Sequence, residues 1–128
     1  MSTDFKSRYV LDSSAVLAWL QGEAGGGEVA DLLERARHGD TLLIYIIEHE
    51  ESVQAAQIAL ATIDGLPVRQ VNASREIALQ AAHYEATYRM PYADCFALGL
   101  ARQLGAPLVT GDPEFRAQDE VDLLWIGS

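Results

Sequence analysis

The chain has 128 residues, 49% hydrophobic and 22% charged, with 19 acids against 9 bases and a formal net charge of −10. That is the length of one domain, 1–128, with enough apolar sequence for a core. The acidic balance argues against non-specific nucleic-acid binding by the whole surface, though not against a nucleic acid held through metal ions. A single cysteine, Cys95, excludes an internal disulfide and suits a reducing compartment. The segment Met1-Ser2-Thr3-Asp4-Phe5-Lys6 lacks the apolar stretch of a signal peptide. No apolar run approaches the roughly 20 residues of a membrane span. A cytoplasmic location without a membrane partner is expected. Lys6 is the sole lysine and precedes the first strand, which leaves none for a P-loop, a Schiff base or a receiver-type switch.

In chain order, Arg8 to Asp12 reads as a buried strand. Ser13 or Ser14 is expected to cap a helix over Ala15 to Gln21, and Gly22 with Gly25-Gly26-Gly27 to form a flexible break. Val29, Leu32, Leu33 and Ala36 recur at helical spacing within Glu28 to His38, with Gly39 as the stop. Thr41 to Ile47 is continuously apolar and rich in β-branched residues, as in a buried strand. Ser52 to Ile63 reads as a helix with Val53, Ala56, Leu60 and Ile63 on one face. That face can be extended back to Ile46, which leaves the boundary between this helix and the strand before it open. Val68 to Val71 is a short strand, and Asn72 or Ser74 caps a helix reaching about Tyr88. Pro91 opens the next helix, which stops at Gly105. Pro107 to Thr110 is a strand, Glu114 to Ala117 a short segment, and Val121 to Ile126 the last strand. Strands alternating with helices imply a parallel sheet.

Three aspartates fall where these elements meet. Asp12 closes Tyr9-Val10-Leu11, Asp94 follows Pro91, and Asp112 follows Leu108-Val109-Thr110-Gly111. In an open parallel sheet the carboxyl ends of the strands face one crevice. Each acid alone also has a plainer role, Asp12 and Asp112 as helix caps and Asp94 as a complement to a helix dipole. Because two serines already offer caps, Asp12 is expected to be free for another role. Three carboxylates in one crevice repel unless a cation lies among them, and hard oxygen donors favour Mg²⁺ or Mn²⁺.

Tyr9-Val10-Leu11-Asp12-Ser13-Ser14-Ala15-Val16 resembles the opening of a PIN domain of the VapC toxin type. The stretch from Pro91 through Asp94 to Ala101 resembles that family's second acidic motif, and Leu108 to Phe115 its third. The resemblance implies a three-layer α/β/α fold around a central parallel sheet of about five strands. It also implies a Mg²⁺- or Mn²⁺-dependent endoribonuclease, homodimeric, acting on RNA and inhibited by a cognate antitoxin protein. Carried over residue by residue, Asp12, Asp94 and Asp112 would be catalytic and hold the metal. Ser14 and Thr110 would be the hydroxyls that position them or a water.

This sequence departs from the family at one place. A further glutamate is expected in the first turn of the helix after the second strand, usually beyond a short loop. Here Leu42-Leu43-Ile44-Tyr45-Ile46-Ile47 runs directly into Glu48-His49-Glu50-Glu51. Either Glu48 or Glu51 fills the role, or the motif is deleted and Leu42 or Leu43 occupies the acid's place. The deletion register is the one favoured by the helical face reaching Ile46. It leaves open an alternative function, a catalytically impaired PIN-like binding module. His38, His49 and His83 are too scattered to bind a metal and are expected at the surface. Cys95 reads as a small buried filler. Trp19 with Leu17 and Leu20 reads as core or as a surface for a partner helix. Tyr84, Tyr88 and Tyr92 form one stripe only if a helix continues through Pro91.

Overall fold

The structure, a computed structural model, describes residues 6–47, 53–63 and 65–127, with the backbone alone at 54–55 and 61–63. Five strands, β1 (Ser7–Leu11), β2 (Thr41–Ile47), β3 (Val68–Asn72), β4 (Leu108–Thr110) and β5 (Leu123–Trp125), form one sheet in the order β3-β2-β1-β4-β5. Every pairing is parallel. Helices α1 (Ser13–Gln21), α2 (Gly26–Arg37), α3 (Val53–Ile63), α4 (Arg75–Tyr88) and α5 (Tyr92–Leu104) flank it, with a 3₁₀ turn at Pro113–Ala117. Alternate side chains of a strand feed opposite faces. Leu11, Leu43 and Val109 pack with α1, α2 and Ile58 of α3 on one face. Val10, Ile44, Ile46 and Leu108 pack beneath α4 and α5 on the other. This is the expected three-layer α/β/α fold. Among the described residues no helix is long and apolar enough to cross a membrane.

β2 remains a strand through Ile47, paired with β3 as far as Ile47 opposite Asn72. Tyr45-Ile46-Ile47 is therefore strand, as the reading of Thr41 to Ile47 has it, and the alternative register that gives these residues to the helix does not hold. Its apolar run satisfies a two-residue alternation as well as a helical one, and the ladder with β3 decides between them. Glu48, His49, Glu50 and Glu51 lie outside the described residues.

The expected face of α3 is also corrected. Val53 and Leu60 are 76% and 63% exposed, whereas Ile58 is buried; Ala56 is exposed as well, and the side chain of Ile63 lies outside the described ones. The helix Val-Gln-Ala-Ala-Gln-Ile-Ala-Leu-Ala-Thr-Ile carries no charge, and its polar positions, Gln54, Gln57 and Thr62, are not gathered opposite Ile58, so its pattern does not mark the solvent side.

The glycine break is a fixed turn. Gly25 has φ +93°, and a Cβ there would lie 2.9 Å from the Gly127 nitrogen. A Cβ on Gly26 would lie 2.6 Å from the Ala18 carbonyl oxygen, so α2 starts hard against α1. Ser74 caps α4 by accepting from the Ile77 N–H. That helix ends at Arg89 with φ 55°, which separates Tyr92 from the tyrosine stripe. Tyr84 stacks on Tyr88, while Tyr92 meets Phe96 edge-on. Leu17 is buried, with Trp19 and Leu20 packed on the same core cluster. Cys95 is fully buried, and His38 and His83 are exposed.

Candidate functional site

β1 and β4 lie side by side, and the chain leaves them in opposite directions across the sheet. Their carboxyl ends thus open a crevice at the switch point, where ligands of open α/β sheets bind. Asp12 stands at that end of β1, 4% exposed. Its side chain caps α1 by accepting from the Ala15 N–H at 2.9 Å. The expectation that Ser13 or Ser14 would cap this helix and leave Asp12 unengaged is thus overturned. Ser13 is already the first helical residue, and a cap must precede the helix with extended backbone. The Ser14 hydroxyl donates to Asp12 Oδ1 at 2.7 Å, and Thr110 Oγ1 donates to Oδ2 at 2.6 Å.

These two hydroxyls also organise β4's exit. Gly111 N–H donates to Ser14 Oγ at 3.1 Å and Asp112 N–H to Thr110 Oγ1 at 3.0 Å. Asp112 in turn caps the 3₁₀ turn through the Glu114 N–H at 2.9 Å. Asp94 enters from the first turn of α5. Asp94, Asp112 and Glu114 each bring an oxygen within 4.8 Å of the others. Asp12 is not of that trio, although its charge is felt there.

Glu114 had no place among the residues singled out in the sequence. The signal available was its position two after Asp112 in Asp112-Pro113-Glu114, where a cap and the residue whose N–H it accepts are brought close together.

Electrostatics follow from burial and crowding. The Asp94 carboxyl is pushed up to about 7, first by burial, then by the charges of Asp112, Asp12 and Glu114, and by a hydrogen bond with Glu114. Burial also raises Asp12, against the opposing hydrogen bonds from Thr110, Ser14 and the Ala15 N–H. Such a set of hard oxygen donors, one of them holding its proton near neutrality, fits a small divalent cation that would displace that proton.

The β2 side of the crevice differs. A cavity of about 20 Å³ lies between Asp12, Ser13, Asp94 and the side chains of Tyr45, Ile46, Ala93 and Ala97. The Tyr45 phenol lies 3.1 Å from Ser13 Oγ. Neither Leu42 nor Leu43 reaches this cavity.

The PIN domain family model matches residues 9–121, a span that includes Asp12, Asp94, Asp112 and Glu114. The chain belongs to the PIN domain family. PIN domains are in general metal-dependent nucleases. No curated protein matches the chain. Among solved structures, this PIN domain is similar to VapBC2 from Rickettsia felis bound to a DNA fragment from their promoter. The identity is 12%, over 93% of this chain and 98% of that one, at a TM-score of 0.64. It is similar to a toxin–antitoxin complex from Klebsiella pneumoniae, at 15% identity over 88% and 94% of the two chains with a TM-score of 0.62. FitAcB from Neisseria gonorrhoeae matches at 15% identity over 91% and 96%, with a TM-score of 0.54. At these identities the likeness is one of fold.

Proposed function

We propose that this PIN domain is the toxin of a toxin–antitoxin pair, a Mg²⁺- or Mn²⁺-dependent endoribonuclease that hydrolyses RNA phosphodiesters. The observation that carries the reading is the convergence of Asp94, Asp112 and Glu114 within 4.8 Å in the crevice. The resemblance of the fold to toxin–antitoxin complexes supports an antitoxin partner. A homodimer and a cytoplasmic location belong to the same reading.

Asp94 and Asp112, with Glu114, would hold the cation, and Asp12 would face it from β1. When bound, such a cation lowers the pKa of a coordinated water and offsets charge developing on phosphate. Ser14 and Thr110 hold the Asp12 carboxylate in one orientation. Thr110 also ties it to the Asp112 backbone, so the acids of β1 and β4 keep their spacing as substrate enters. The chain's charge of −10 repels RNA, so neutralisation of the crevice precedes substrate binding.

A second reading, a PIN-like module that binds without turnover, is favoured by the apolar Ile46, Ala93 and Ala97 lining the crevice on its β2 side. Cleavage of RNA by the purified chain with Mg²⁺ or Mn²⁺, against Asp94→Asn, separates the two. The nuclease reading expects metal-dependent cleavage abolished by the substitution. A fully active variant would remove the metal-site assignment, and an inert wild type would leave the binding module.

A further inference from the structure

On the face of the sheet that carries α4 and α5, α4 packs on α5, and α5 packs on β1, β2 and β4. β3 and the start of β2 are left with a cleft of about 230 Å³. Register explains its lining. Arg8 pairs with Leu42, Ile44 with Arg69, and Ile46 with Val71, and alternation turns Arg8, Leu42, Ile44, Arg69 and Val71 to the same side. Leu100 and Leu104 of α5 form the far wall. The floor is therefore aliphatic, and two exposed arginines stand over it.

Neither guanidinium has an ion-pair or hydrogen-bond partner among the described residues. This is notable in a chain with 19 acids to 9 bases. Arginine stems extend an apolar floor while their heads stay in water, and a guanidinium there can take a carboxylate in bidentate fashion. The width that the described residues leave uncovered, two strands at ~4.8 Å each, equals the 8–10 Å spacing of one packed helix beside another. Arg8 and Arg69 are two strands and two residues apart, roughly 12 Å between Cα atoms. That is about two turns of helix.

We propose that this cleft docks an amphipathic helix of a partner protein. Its aliphatic stripe would lie on Leu42, Ile44 and Val71, and two carboxylates about two turns apart would pair with Arg8 and Arg69. The charge of the cleft selects an acidic helix over a basic one. The site lies toward the amino ends of the strands, away from the acidic crevice, and holds whether or not the crevice cleaves RNA.

The test uses the full chain and a labelled synthetic helical peptide with leucines at i, i+3, i+4 and i+7 and glutamates two turns apart, followed by fluorescence anisotropy. A matched peptide carries lysine for glutamate. The glutamate peptide is expected to bind at least about tenfold more tightly than the lysine one. It should lose about tenfold or more with R8E/R69E and a smaller factor with R8Q/R69Q, with Mn²⁺ binding at the crevice unchanged. If the charge-reversed pair does not fold, the glutamine pair decides. Equal binding of both peptides, no binding of the glutamate peptide, or indifference to both arginine pairs would overturn the proposal. So would self-association of the chain that R8Q/R69Q abolishes, which would give the cleft to a second copy. Binding of decanoate alone, with the same arginine dependence, would make it a small-molecule site instead.

Discussion

The two sides of the crevice are built from different chemistry. On the β4 side the described polar groups form a chain of hydrogen bonds. Thr110 bridges the Asp12 carboxylate and the Asp112 N–H, Ser14 bridges Asp12 and the Gly111 N–H, and Asp112 holds the Glu114 N–H. On the β2 side Asp12 and Asp94 border a small cavity whose other described lining is the Tyr45 phenol, Ser13 and apolar side chains. The acids are therefore positioned by the exits of β1 and β4 together with the first turn of α5. An open parallel sheet can thus carry a preorganised acidic cluster while the described residues of one neighbouring strand bring neutral groups to it.

The sharpest break in that contrast would come from Glu114→Gln. As a direct candidate ligand it should cost Mn²⁺ affinity at least the roughly tenfold to hundredfold that outer-shell partners cost, whereas Tyr45→Phe should leave that affinity alone. Equal effects in titration calorimetry would erase the distinction between the sides.

Thr110→Val comes next. It removes the donor to a buried carboxylate and the acceptor of the Asp112 N–H, so the loss in chemical unfolding should be about 1–3 kcal/mol.

Acidity offers a third way in. The folded Asp94 carboxyl sits at about 7 against an ordinary 3.8, so between those values the folded state binds more protons than the unfolded one. Stability of the metal-free protein should therefore fall as pH rises from about 4 to about 7. The buried Asp12, raised from 3.8, acts in the same direction. Metal affinity should rise over the same window, because binding expels the proton. Melting temperatures and Mn²⁺ titrations across that range check both signs, and Asp94→Asn should flatten the stability profile.

The smallest effect is expected from Tyr45→Phe, which removes the exposed hydrogen bond to Ser13 and should cost about 1 kcal/mol.

Much of the fold was legible because its signals are local and redundant. Leu108-Val109-Thr110 reads as strand between Pro107 and Gly111, and Gly105 ends α5 in the left-handed conformation as its position suggests. The order of the acids along the chain likewise pointed to one crevice. Four features were not legible, each for a physical reason. Asp12, Ser13 and Ser14 can all cap a helix, and the one that does is set by where helical backbone begins. α3 has apolar residues all round and no charge, so its buried side is chosen by tertiary packing rather than by its own pattern. Tyr45-Ile46-Ile47 suits two periodicities, and only the partner strand β3 resolves them. Glu114 lies on a 3₁₀ turn, where no recurring spacing draws attention to a side chain.

Asp94, Asp112 and Glu114 are proposed to form a divalent-cation site governed by Asp94. Calorimetric titration of Mn²⁺ into the wild-type chain and into Asp94→Asn at one pH above 7 tests it most directly. Saturable binding to the wild type, abolished by the substitution, is expected. Equal binding to both proteins, or none to the wild type, would contradict it.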